Sequence, residues 1–171
     1  MNSLKPVEWN EHTITDVLAK SEGSPFYWKQ NFVVIRNVSH GFLNWEADLL
    51  VCSKAGFLTE IEVKISAADW RNDKNKWKFR LNNWGNIQTT FLKKFYYAAP
   101  KKLALRWAEM GIPEYAGVIA MENDPRGSGE HAYFVQCLEI IRPAKASATA
   151  KKLTIEEQAK LARLGAIRQW V

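Results

Sequence analysis

Residues 59–66 read TEIEVKIS, and apolar Ile61, Val63 and Ile65 alternate there with charged residues. Alternation with a period of two, built on β-branched side chains, predicts a β-strand with one buried face. A strand of this kind usually turns its polar side to water. Here that side places two carboxylates and an amine in a row, which indicates a specific use. These three residues are Glu60, Glu62 and Lys64.

A second predicted strand, residues 45–52 (WEADLLVC), precedes this one, and a short turn joins the two. The loop Lys54-Ala55-Gly56 suits a three-residue hairpin turn with glycine at the left-handed position. In that register Asp48 stands directly opposite Glu62. Alternation then separates two faces. One carries Glu46, Asp48, Leu50, Glu60, Glu62 and Lys64, and the other carries Trp45, Ala47, Leu49, Val51, Ile61 and Val63.

Opposed carboxylates on neighbouring strands need a reason, because their side chains begin only about 5 Å apart and like charges destabilise the pair. Two such groups either share a proton or hold a cation. Hard divalent cations such as Mg²⁺ prefer oxygen ligands. An ammonium on the same face, that of Lys64, can orient a water or offset phosphate charge. The alternative is a solvated face with a Glu46–Lys64 surface ion pair, which contributes little.

The composition is that of an ordinary globular protein of 171 residues, long enough for one domain with its own core. Its net charge of +6 favours polyanionic partners, of which nucleic acid is the commonest. The cysteines, Cys52 and Cys137, lack metal-site spacing, which argues against a structural zinc site and for a reducing compartment. With no long apolar run, we expect no membrane association and a cytoplasmic location.

Capping and periodicity patterns predict a mixed α/β domain over residues 1–142, a linker over 143–153 and a C-terminal helix over 154–171. The last helix carries an apolar stripe, Leu161, Leu164 and Ile167, which leaves open docking on its own domain, dimerisation or a partner. The predicted helices cover residues 13–20, 66–79, 101–110 and 154–169. The predicted strands cover residues 26–38, 45–52, 57–65, 94–99, 116–121 and 132–141.

The pattern resembles the PD-(D/E)XK nuclease superfamily, whose signature is an acidic residue on one strand and (D/E)-x-K on the next, followed by a helix. The matching pieces are Ala47-Asp48 and Glu62-Val63-Lys64, although the superfamily's proline is replaced by Ala47. The run IEVKISAADWRNDKNKW, followed by KFYYAAP and IPEYAGVIAM, is similar to small MmcB-type DNA repair proteins. The stretch 78–90 is longer than in those proteins.

The resemblance implies a restriction-endonuclease-like mixed central sheet flanked by helices, with an appended C-terminal helix. It also implies that Asp48, Glu62 and the Val63 carbonyl hold Mg²⁺ or Mn²⁺, while Lys64 positions the attacking water. The reaction would be hydrolysis of DNA phosphodiester bonds in repair, recombination or replication. Further acidic candidates come from the first helix and its neighbourhood: Glu11, Asp16 and Glu22, of which Glu22 is favoured for its loop position. The polar face of the hairpin adds Glu46 and Glu60.

Basic and aromatic residues after the E-x-K strand are candidates for binding the substrate. Arg71, Lys74 and Lys78 would contact phosphates, and Trp84 would stack on a base, unless they form an ordinary solvated surface. The expected partner is DNA, single-stranded or branched, and a homodimer is possible. Two other readings stay open. One is a non-catalytic nucleic-acid-binding module of the same fold, and the other is a structural domain with an incidental acidic cluster.

Overall fold

A computed structural model describes residues 2–3, 5–38, 43, 45–73, 91–128 and 132–168. The strands are β1 (Asn2–Ser3), β2 (Val33–Val38), β3 (Ala47–Cys52), β4 (Leu58–Val63), β5 (Leu92–Pro100), β6 (Gly117–Arg126) and β7 (Tyr133–Arg142). The helices are α1 (Glu11–Lys20), α2 (Ala67–Asp73), α3 (Lys101–Ala104), a 3₁₀ turn (Trp107–Met110) and α4 (Ile155–Arg168). Within these residues no helix has the length and apolar character needed to cross a membrane.

One mixed sheet joins these strands in the order β1-β7-β6-β5-β4-β3-β2. Strands β2, β3 and β4 are antiparallel neighbours, whereas β4, β5 and β6 run parallel, and β7 returns antiparallel to β6. Parallel neighbours require crossovers, and α2 and α3 lie in the two connections. The predicted α/β class, with a mixed sheet, flanking helices and a C-terminal helix, is confirmed.

The predicted hairpin register is confirmed where the ladder forms. Leu49 pairs with Ile61 and Leu50 pairs with Glu60. The turn closes through the Ser53 amide, which donates to the Phe57 carbonyl at 2.9 Å. Gly56 adopts a φ of 84°, the left-handed conformation that this turn requires and that glycine tolerates best.

The predicted placement of Trp45 and Ala47 is wrong. Both pack in the cluster that contains Leu50, not on the Leu49 face. Trp45 precedes β3, so strand alternation does not fix its side chain, and Ala47, the first residue of β3, pairs with Val38, which lies in the same cluster. The Trp45 indole instead reaches the polar face and donates to Glu60 at 3.0 Å.

The first helix begins two residues earlier than predicted. Its cap is Asn10, whose side chain accepts from the Thr13 amide, and the Thr13 hydroxyl accepts from the Asn10 amide in return. Thr13 is therefore the third helical residue and not the cap. Val17 and Leu18 of this helix are buried.

Other predicted elements differ in extent. The strand predicted over residues 26–38 begins only at Val33, because the residues before it form turns, for example through the bond from the Tyr27 amide to the Ser24 carbonyl. The strand predicted over residues 116–121 continues to Arg126, where it still pairs with β7.

The helix predicted over residues 101–110 is divided into α3 and the 3₁₀ turn, because the Arg106 amide bonds the Leu103 carbonyl three residues back. Of the helix predicted over 66–79, the structure describes α2, whose start is capped by the Ser66 hydroxyl bonding the Asp69 amide. Residues 74–79 lie outside the described residues.

The two faces of the sheet have separate cores. On one face α1 packs its apolar side, including Ile14 and Leu18, against Leu49 and Ile61. On the other face lie two clusters. One joins Leu161 of α4 to β2, β3 and β4, and the other joins Trp70 of α2 to β5 and β6. The polar side of β4 belongs to this second face, since Leu58 lies in the first of these clusters.

The C-terminal helix docks on its own sheet. Leu161 is fully buried, and Gly165 lies so close to β2 that an added Cβ would approach Ile35 to 3.0 Å. Ile167, the end of the predicted stripe, is 50% exposed. The segment 143–153 is itself hydrogen-bonded to the domain, for example from the Leu153 amide to the Gly56 carbonyl.

Candidate active site

The E-x-K residues form a buried ion pair at the end of β4. Lys64 Nζ lies 2.9 Å from Glu62 Oε1, and the two side chains are at most 2% exposed. Strand alternation explains the contact, because side chains two residues apart along one strand lie on the same face. Burial removes solvent screening, so the attraction between these charges is stronger than at the surface.

This burial corrects the expectation that the polar face lies outside the core. Glu62 is paired with Tyr97 and Glu60 with Phe95 on the neighbouring strand, and both aromatic residues belong to the core of that face. Glu60 is 1% exposed and accepts a hydrogen bond from the Trp45 indole. The carboxylates therefore stand among apolar side chains, where a charge needs a partner.

Asp48 completes the cluster from the adjacent strand. Its Oδ2 accepts a hydrogen bond from the Val63 amide at 2.6 Å. The pKa of Asp48 is raised to about 7, mainly by burial and also by the charges of Glu62 and Glu11, which together outweigh the lowering effects of the Val63 bond and Lys64. Since negative charge is in excess here, a bound cation would stabilise the ionised form.

The donor set fits a hard divalent cation. Within the described part of the chain, no group of three or more His, Cys, Asp or Glu side chains has metal-binding spacing. Two carboxylates suffice for Mg²⁺, which keeps several water ligands and often takes only one or two carboxylates from the protein. Asp48 and Glu62 could supply these two ligands. For Val63, the contact that the structure shows is through the amide.

Among the additional acidic candidates, Glu11 is the one whose charge raises the pKa of Asp48. Asp16 is instead engaged by Arg36 at 2.5 Å and by Lys20 at 2.8 Å. Glu22, favoured from the sequence, lies exposed in the turn after α1. The capping pair of Asn10 and Thr13 is the sequence signal that identifies this residue, because it places Glu11 in the first turn of α1.

The two candidates from the hairpin itself differ in environment. Glu46 is exposed and precedes β3, outside the paired ladder. Glu60 is buried and bound to Trp45. Neither position matches that of Asp48, which combines partial exposure with contact to the β4 backbone.

Sequence reasoning missed a second partner of Lys64. Asp69 Oδ1 lies 3.7 Å from Lys64 Nζ, and the Asp69 side chain is 48% exposed. Asp69 also lies in the first turn of α2, where its amide donates to the Ser66 hydroxyl. The cap fixes the first turn of α2 beside the end of β4, so the ammonium lies near two carboxylates of different exposure.

The candidate substrate-binding residues are only partly described. Arg71 is exposed on α2, beside Trp70, which is buried and packs on Tyr97 with 5.2 Å between ring centroids. Trp70 is therefore a core residue. Lys74, Lys78 and Trp84 lie outside the described residues.

Comparisons with known proteins name no family for this chain. No family model matches it, and no curated protein matches it. Among solved structures, a protein of unknown function from Silicibacter pomeroyi matches with a TM-score of 0.46 and 20% sequence identity. The match covers 80% of this chain and 73% of the other.

Proposed function

We propose that this protein is a metal-dependent nuclease that hydrolyses DNA phosphodiester bonds, in repair, recombination or replication. One observation carries the proposal. Asp48 accepts a hydrogen bond at 2.6 Å from the amide of Val63, which lies between Glu62 and Lys64; the charge of Glu62 acts on Asp48, and Lys64 is bonded to Glu62 at 2.9 Å. Two neighbouring carboxylates would repel a polyanion and so do not suit a surface that only binds one. They do suit a divalent cation, which takes carboxylate oxygens as ligands.

The arrangement of elements supports the restriction-endonuclease-like form of the fold. An acidic residue lies on β3, the E-x-K residues lie at the end of β4, and α2 follows directly. Helix α1 covers one face of the mixed sheet, and α2 and α4 pack on the other. These are the features that the resemblance to PD-(D/E)XK nucleases implies for a sheet of this kind.

In the proposed reaction Asp48 and Glu62, with the Val63 carbonyl, would hold Mg²⁺ or Mn²⁺. Glu11, whose charge acts on Asp48, is the candidate for a further carboxylate. The bound ion would polarise the phosphoryl oxygen and lower the pKa of a water molecule. Lys64, fixed by Glu62 and near Asp69, would align the water or offset charge that develops on the phosphate.

Substrate would approach from the side of Asp48. This residue is only partly buried, whereas Glu62 and Lys64 are almost fully enclosed. A charged group in an enclosed site is little screened by solvent, so its effect on a developing charge is larger than at the surface. Asp48 therefore connects the buried pair with solvent.

Calorimetric titration with Mn²⁺ and Mg²⁺, alongside a cleavage assay on single-stranded and branched DNA, tests the proposal. We expect metal binding and metal-dependent cleavage by the wild type, and loss of both in Asp48→Ala. Asp124→Ala is the matched control, since Asp124 is a partly exposed aspartate paired with Arg126 on β6. Absence of metal binding and of cleavage in the wild type would overturn the proposal.

A second candidate function is a non-catalytic nucleic-acid-binding module. The observation that favours it is the near-complete burial of Glu62 and Lys64, because buried ion pairs also occur as purely structural features. This function predicts that DNA is retained without metal, that retention falls with added salt, and that no strand is cut. The cleavage assay above separates the two.

A further inference from the structure

A groove of about 1190 Å³ lies between α1, β2 and α4, at the β2 edge of the sheet. Of its lining residues, the functional assignment of the acidic cluster uses only Glu11. Its walls combine three cationic residues, two carboxylates and one large aromatic residue. These are Lys20, Arg36, Arg168, Glu11, Asp16 and Trp28.

The charges in the groove leave a positive excess. Lys20 and Arg36 share a single carboxylate, that of Asp16, at 2.8 and 2.5 Å. Arg168 donates to the Arg36 carbonyl at 3.1 Å, which holds its guanidinium against the β2 backbone. Guanidinium groups present several donors in a plane and suit phosphate oxygens. The groove is therefore suited to a phosphate-bearing ligand.

Trp28 gives the groove an exposed aromatic surface. Its side chain is 54% exposed, and Lys29 Nζ lies 5.4 Å from the ring centroid. A large apolar ring left in solvent beside cations is a typical platform for a nucleobase, because every base has a face that stacks. Paired bases in a duplex already stack on their neighbours, so a platform of this kind favours single strands.

Glu11 is common to the groove and to the surroundings of the candidate active site. This residue lines the groove, and its charge acts on Asp48. A strand that lay along Lys20, Arg36 and Trp28 would thus pass Glu11, the groove residue whose charge acts on Asp48.

We infer that this groove binds single-stranded nucleic acid, with Trp28 stacking on a base and Lys20, Arg36 and Arg168 contacting phosphates. The inference rests on the proposed function for the reaction that would follow near Glu11, which lines the groove. It deepens that function by naming the substrate class. Binding itself needs only the groove. It is a different surface from that of Arg71 on α2, which the sequence suggested.

Fluorescence anisotropy with a labelled oligothymidylate, the full chain and excess EDTA measures this binding without cleavage. We expect Trp28→Ala to weaken binding by about 5-fold to 100-fold, the range that stacking contributes per base. Trp28→Phe should restore most of it. Leu105→Ala, which truncates a side chain that is 59% exposed on another surface, should bind like the wild type.

The phosphate contacts are tested by the salt dependence of the same titration. For Arg36→Gln we expect the slope of log affinity against log salt to decrease by about 0.7, the value for one lost contact to a single strand. Arg106→Gln is the control, since Arg106 is exposed and pairs with Glu109 away from the groove. Lys20→Gln should act like Arg36→Gln, and a folded Lys20 variant keeps the test valid where the Arg36 variant unfolds.

Three results would overturn the inference. The first is wild-type affinity in both Trp28→Ala and the basic variants. The second is an affinity for duplex DNA equal to that for the single strand, with no effect of Trp28→Ala. The third is competition by polyglutamate that does not depend on Trp28. The nuclease proposal stands or falls separately on metal binding and on Asp48→Ala. Normal cleavage with an inert groove, or groove binding with no metal-dependent cleavage, would show which of the two had failed.

Discussion

The carboxylate of Asp48 accepts a hydrogen bond from the backbone amide of Val63, with 2.6 Å between Oδ2 and the nitrogen. The bond ties an acidic side chain of β3 to the residue between Glu62 and Lys64. A hydrogen bond from an amide favours the ionised carboxylate, yet burial and the charge of Glu62 outweigh it, and the pKa of Asp48 rises to about 7. The site thus holds Asp48 in place at a cost that a cation would remove.

The raised pKa of Asp48 predicts that the metal-free protein loses stability as the pH rises. Between the ordinary value of 3.8 and about 7, the folded protein holds a proton that the unfolded chain has released. The free energy of unfolding therefore decreases across that interval and levels off above it. Urea unfolding in EDTA at several pH values measures this trend. Asp48→Asn should flatten it, and a profile parallel to the wild type would contradict the assignment.

The buried pair of Glu62 and Lys64 predicts strong coupling between substitutions. Lys64→Met leaves Glu62 enclosed near Asp48 without its cation, and we expect it to lower the free energy of unfolding by about 3–5 kcal/mol. Adding Glu62→Gln should recover part of that loss, because the uncompensated charge is removed. Urea unfolding of the four variants of this cycle gives the coupling energy.

An exposed pair supplies the comparison for that cycle. Arg106→Met removes a cation whose partner, Glu109, is 60% exposed, and it should leave the free energy of unfolding almost unchanged. Additive effects of Lys64→Met and Glu62→Gln would mean that the two side chains do not form the enclosed pair.

Gly117 on β6 is predicted to tolerate no side chain. A Cβ at this position would lie 2.3 Å from Cδ1 of Tyr96 and 2.7 Å from the Ala144 amide nitrogen. Because one of these atoms is backbone, Gly117→Ala should reduce the free energy of unfolding by about 1–3 kcal/mol, the range for overpacking. Gly23→Ala, with nothing within 4 Å, is the matched control for urea unfolding. Equal stability of the two variants would contradict this packing.

The two cysteines are predicted to differ in reactivity. Cys52 is fully buried, and burial raises its pKa to about 11, while Cys137 is only partly buried. Because the thiolate is the reactive species, a thiol reagent such as Ellman's should modify Cys137 first and Cys52 only after unfolding. Cys137→Ser should remove the native-state signal. A native-state signal that persisted in that variant would place Cys52 at the surface.

Local patterns in the sequence predicted the secondary structure and the hairpin register. Alternation on β3 and β4 is set by strand geometry, and the turn at Gly56 is set by a few adjacent residues, so both could be read without knowledge of the rest of the chain. The juxtaposition of Asp48 and Glu62 followed from them. Element ends were less well predicted, as Asn10 shows, because competing caps lie within one turn of each other.

Tertiary packing decided what surrounds these residues. Enclosure of Glu62 and Lys64 depends on strand β5, more than 25 residues further along the chain, whose Tyr97 lies beside Glu62. The effect of Glu11 on Asp48 depends on how α1 docks on the sheet, and the proximity of Asp69 to Lys64 depends on how α2 docks. The groove by Trp28 forms only where α4 returns to β2. Which side chains share a face could be read from the sequence along the paired part of the hairpin, but not at Trp45 and Ala47, because alternation is a property of neighbouring backbone within a regular strand. Burial, charge environment and groove shape were left to the fold, because they arise from contacts between segments far apart in the chain.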